Sequence, residues 1–194
     1  MIGKLLNIIK DDLNAYFVTH GNLLSGTEIF SFPDLSKGGG QGDPVLSGEA
    51  LNIFLVNLEE NRSHRPAEMW YITEAGGGKR QAYPPIKLDI YFAIAAKFKD
   101  YPTALDNLTL CIKYFMSHRY LDSSVHQDFP EDIDQIIVEM IPMTFEVQRQ
   151  VWSILQIPYL PCALYRMGLL VTTDEQNGQL MPAVTEVVGK TGQS

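Results

Sequence analysis

Pro84 and Pro85, followed by the alternating run IKLDIYFAIAAKF, constrain this chain more than any other segment. The prolines remove two backbone donors and hold the entry extended, so a strand over 84–98 can start sharply. Ile86, Leu88, Ile90, Phe92 and Ile94 share one face of that strand, and Lys87, Asp89, Tyr91, Ala93 and Ala95 share the other. The first face is apolar throughout and needs a cover. The second passes from polar to small and apolar, which predicts solvent at one end and packing at the other.

The remaining periodicities supply the partners. Residues 50–59 read as a strand buried on both sides, with Leu51, Ile53 and Leu55 on one face and Phe54, Val56 and Leu58 on the other. Shorter strands are expected at 27–34, 69–73, 132–140 and 163–173, and Pro33 makes the first of these an edge or an ending. Helical spacing predicts helices over 2–19, 103–118 and 144–156, with a stop at Gly21 and a capping pair at Thr103 and Asp106. The order of elements lacks regular βαβ repeats. It predicts an α/β domain with a mixed, mostly antiparallel sheet, one face of which is buried under two or three helices. The expected domain spans 1–176, and 177–194 reads as a mobile C-terminal extension.

Composition narrows the function classes. A net charge of -8 over 194 residues argues against a broad surface for nucleic-acid phosphates. The apolar opening stretch is broken by Asp11 and Asp12, which fits neither a signal peptide nor a membrane span. A soluble protein made in the cytoplasm is expected. Cys111 and Cys162 form no CxxC pair and read as buried free thiols.

No chemical motif stands out. The glycines of LSKGGGQGDP match no phosphate-binding loop, and His20, His64, His118 and His126 form no HExxH. His118 lies near the end of the central helix, where positive charge is favourable without any catalytic role. The acidic run Asp128, Glu131, Asp132, Asp134 lacks calcium-loop spacing and reads as a charged rim. Neither Ser25 nor Ser47 sits on a nucleophile elbow. The residues therefore nominate no catalytic group, cofactor or metal ligand. An active site assembled from dispersed residues stays open as an alternative, as does a monomeric adaptor.

Interaction chemistry is more visible. Large anchors are present in Trp70, Tyr71, Trp152, Tyr159, Tyr165 and Arg166. Trp152 is assigned to the core, and Tyr159 and Arg166 are candidate interface residues. The glycine loop with Gly38, Gly39 and Gly40, and a hairpin-like arm with Lys79 and Arg80, are candidate contact segments. An exposed sheet edge near Pro33 or in the last strand could accept a partner's strand.

Taken in order, several landmarks resemble one family. They are the opening helix LLNIIKDDLNAYF, the strand ending at Glu60 and Asn61, Pro84 and Pro85 before a long strand, the helix with ALDNLTLCIKYF, and Trp152 followed by Pro158, Tyr159 and a last strand. The chain resembles the Pvc16/Afp16-type N-terminal domain family over about residues 10–173. Ser63 after Arg62, and PMTFEVQRQVW before the last block, depart from the family pattern. The resemblance implies a tail-terminator-like fold and a non-enzymatic cap of a contractile injection system. It further implies a ring of six copies, contacts with an inner tube protein and a sheath protein, and assembly in the cytoplasm. The charge and the lack of a long apolar window, for their part, lead us to expect no nucleic-acid partner and no direct membrane insertion.

Overall fold

The computed structural model describes residues 1–21, 24, 26–34, 46–62, 70–73, 79–82, 86–126, 128–130, 133, 135–155, 158–171 and 180–181. The chain opens with α1 (Ile2–His20), followed by β1 (Phe30–Ser31) and β2 (Ala50–Glu60). Next come β3 (Trp70–Thr73), β4 (Lys79–Ala82) and β5 (Ile86–Lys97). After α2 (Tyr101–Ser117) follow β6 (Tyr120–Asp122) and β7 (Gln135–Ile141). The described part closes with α3 (Phe145–Leu155), β8 (Cys162–Val171) and β9 (Leu180–Met181).

Six strands form the main sheet in the order β1-β2-β5-β8-β7-β6. Every pairing is antiparallel except the short parallel contact of β1 with Leu51 and Asn52. The proline-led strand β5 lies inside the sheet between β2 and β8, in keeping with its two demanding faces. A separate three-stranded sheet, β3-β4-β9, holds the basic arm, and Leu180–Met181 pairs there with β4. The strands β4, β6 and β9 are additions to the sequence reading, β4 replacing the expected flexible arm.

The helices cover both faces, which corrects the expectation of one covered face. On one side α1 and α2 contribute Leu5, Ile9, Leu13, Phe17, Leu108, Cys111 and Phe115 to the main core. Beneath them lie Leu51 and Ile53 of β2, Ile90, Phe92 and Ile94 of β5, and Tyr165 and Met167 of β8. On the other side Trp152 of α3 packs with Leu46, Phe54, Ala93, Ala95 and Leu164. Ala93 and Ala95 belong to the face of β5 that turns apolar, and they supply the room for the indole. Trp152 is a core residue, as expected.

Local geometry revises two details. A bulge between Leu55 and Asn57 shifts the register of β2 against β5. Leu55 lies opposite Phe92 and Leu58 opposite Ile90, so both point to the α1/α2 side. Leu58 therefore does not share a face with Phe54 and Val56. The cap of α2 also differs: Asp100 accepts from the Thr103 amide at 3.0 Å and from its hydroxyl, in place of a Thr103–Asp106 pair. Gly21 ends α1 by close approach, because a Cβ there would lie 2.8 Å from the Phe17 carbonyl and 2.9 Å from Leu110.

Candidate functional site

The α3 side of the sheet is only half covered. Beyond the Trp152 cluster, β2, β5, β8 and β7 each present polar side chains on the same face. Register places Tyr91 beside Arg166 and Arg166 beside Glu139, with Asp89 one step along beside Gly168. A cross-strand network follows. Tyr91 donates to Glu59 at 2.6 Å, and Asn61 Nδ2 donates to Asp89 at 2.9 Å. Arg166 donates to Glu139 at 2.6 Å and lies 3.7 Å from Asp89. Arg119 reaches Glu139 from beyond the end of α2 at 2.8 Å.

This row is electrostatically settled. Asp89 is only 4% exposed, and Asn61 and Arg166 supply its partners. The hydrogen bond from Arg166 holds the Glu139 carboxyl below its ordinary range. The same bond, with the charges of Asp89 and Glu139, pushes Arg166 up, so it stays charged. The hydrogen bond to Glu59 raises the Tyr91 phenol to about 12. Beside the row runs an open groove of about 520 Å³, lined by Lys87, Asp89, Gln135, Ile137, Arg166 and Gly168. It offers paired charges and apolar rungs to a large surface, with no activated nucleophile among them.

A second polar cluster ties the helices together. Tyr114 donates to Asp12 at 3.1 Å, and His126 Nε2 lies 3.2 Å from the same carboxylate oxygen. Burial raises the Asp12 carboxyl, while His126, Tyr114 and His118 oppose that shift. His20 stacks on Tyr16 and His118 on Tyr114 at ring-centroid distances of 4.1 and 4.6 Å. Three histidines thus line one groove of about 340 Å³. Among the described residues, no group of three or more His, Cys, Asp or Glu is placed to hold a metal. Cys111 is buried, Cys162 is half-buried and both are free; burial pushes both thiols up, away from nucleophilic character.

The sequence-nominated residues fall in three places. Arg166 stands in the charged row. Tyr159 is 57% exposed, on the covered half of the same face, with its ring 5.6 Å from that of Trp152. Lys79 pairs with Thr73 and Met181, and Arg80 with Ile72 and Leu180, in the separate small sheet. Gly38, Gly39 and Gly40 lie outside the described residues. The last long strand, β8, is flanked by β5 and β7 and has no open edge, so it cannot accept a partner strand. Sequence reasoning missed Asp89, Glu139, Glu59 and Arg119. The available signal was a polar residue interrupting each of several apolar strands.

The sequence model described as the Pvc16 N-terminal domain matches residues 5–186. Among curated proteins, none matches. Two solved structures share the fold. One is the sheath/tube terminator of PVC, an extracellular contractile injection system, in the extended state. Its TM-score is 0.65 at 17% identity, covering 100% of this chain and 64% of that one. The other is the tube-terminating cap of the anti-feeding prophage. Its TM-score is 0.60 at 16% identity, covering 95% of this chain and 59% of that one. This chain therefore spans less than two thirds of either protein's length.

Proposed function

The chain belongs to the Pvc16 N-terminal domain family, and from that premise we propose that it caps the tube of a contractile injection system. The observation carrying this reading is the shared fold along the whole chain with two tube-terminating proteins. In this reading six copies close into a ring on the tube's upper end and touch the last sheath layer. The partners are a second copy, the inner tube protein and the sheath protein, and no catalysis is involved. Assembly takes place in the cytoplasm, and the protein remains part of the particle.

The described surfaces suit such a role. A closed ring joins unlike patches of neighbouring copies. In this reading the half-open sheet face is one such patch, and the segment with Lys79 and Arg80 belongs to the other. Beyond the short pairing of β1 with Leu51 and Asn52, Leu55 and Leu58 of β2 are exposed. In this reading a sheath terminus adds a strand to the cap through main-chain hydrogen bonds. Tube termination requires only that the upper ring face lack the tube's own docking surface.

Deletion of the protein tests the reading by electron microscopy of particles. Tubes of irregular length and incomplete sheaths are expected. Normal tube ends and an intact sheath in the deletion strain overturn it.

A further inference from the structure

We propose that α3 is a strap that leaves the sheet as a unit while the rest of the domain stays folded, uncovering the apolar seat formed by Phe54, Ala93, Ala95 and Leu164. The strap is independent of the capping role.

Three features set α3 apart from α1 and α2. First, it is seated at one end only. Val151 and Trp152 are buried, but Phe145, seven residues before Trp152 and so on the same helical face, is 91% exposed. By contrast, α1 buries Leu5, Ile9, Leu13 and Phe17 completely. Second, among the described residues no hydrogen bond or ion pair joins α3 to the sheet. The bonds at its start are local, from the Val147 and Gln148 amides to Thr144 at 3.3 and 2.9 Å. The buried indole N–H of Trp152 has the weakly accepting Cys162 sulfur nearby, without hydrogen-bond geometry. In α1, Asn14 accepts from the Ile29 amide and Asp12 from Tyr114, each at 3.1 Å. Third, α3 lies on the connection between β7 and β8, and the pairing of those strands ends at Ile141 and Leu164, outside the helix. Its departure therefore breaks no ladder bond.

Its 11 residues are too few to hold a helix in water on their own. The helical order of α3 comes from its seat, so release of Trp152 also frees the helix amides to exchange with solvent. Water then meets the indole N–H, which offsets part of the cost of uncovering the ring. The α1/α2 layer is untouched by this opening, which places it below global unfolding in free energy.

Native-state hydrogen exchange on the full chain tests the strap, read by nuclear magnetic resonance with urea kept below the unfolding transition. Corrected for intrinsic rates, the Val151 and Trp152 amides should exchange about 100-fold faster than those of Phe92 and Ile94 in β5. The two α3 amides should speed up together as urea rises, since detachment exposes buried surface. Trp152→Phe, a smaller anchor, should speed them about ten-fold and leave Phe92 and Ile94 within about two-fold of their starting rates. The strap is overturned if the α3 amides exchange as slowly as those of β5, or if their exchange ignores urea, which marks fraying in place. It is overturned equally if Trp152→Phe speeds both sets alike. Should that variant fail to fold, the urea series on the unsubstituted chain decides the matter.

Discussion

The two faces of the main sheet are built on different terms. The α1/α2 face is a continuous apolar layer in which Phe17, Phe92, Phe115 and Tyr165 interlock. The α3 face is divided between a small cluster around Trp152 and an open row of paired charges. The first face holds the larger buried layer, and the second holds a smaller one beside exposed polar surface.

The sharpest way to break that division is to empty one core at a time. Phe92→Ala removes a ring from the centre of the larger layer and should cost about 3–5 kcal/mol in chemical denaturation, with loss of protection across the whole sheet. Trp152→Ala should cost about 3 kcal/mol, and in hydrogen exchange the loss should concentrate in α3. A uniform loss in both variants would show that the faces are one cooperative unit. Next in size is Asp89→Ala, which removes the buried carboxylate that accepts from Asn61 and lies 3.7 Å from Arg166, and should cost about 1–3 kcal/mol by thermal unfolding.

The smallest effect should be one of sign. Glu139 is held below its ordinary pKa of 4.5 by Arg166. Its contribution is present above that value and is lost as pH falls through the lowered one. Asp12, on the helical face, is raised above 3.8 mainly by burial. Its contribution is complete below 3.8 and is lost as pH rises through the raised value. Glu139→Gln should therefore reduce the loss of stability on acidification, whereas Asp12→Asn should increase it. Denaturation midpoints at neutral and acid pH check this; shifts of the same sign would contradict the assigned environments.

The two faces also differed in how far they could be read from residues alone. Helices and long strands followed from period, and β5 fell within the limits its prolines and alternation suggested. An amphipathic helix announces that it has an apolar stripe but not which side of a sheet receives it, so the placement of α3 was invisible. The three residues of β6 are too few to carry a period, and the β4–β9 pairing joins positions far apart in the chain. Of the charged row, Arg166 was legible as a large polar anchor. Asp89 and Glu139 were not, because only register brings them to Arg166.

The bulge in β2 has a consequence for how this surface can change over time. It acts as a phase shifter: one surplus residue places Asn57 and Glu59 across from Tyr91 and Asp89 and turns Leu58 toward Ile90. Loss of the Val56 codon would remove the surplus residue and leave Asn57 across from Tyr91 and Leu58 across from Ile90, each on its present face. The strand can therefore shed a residue at this one point and keep the chemistry of both faces, whereas a deletion elsewhere in β2 would swap them.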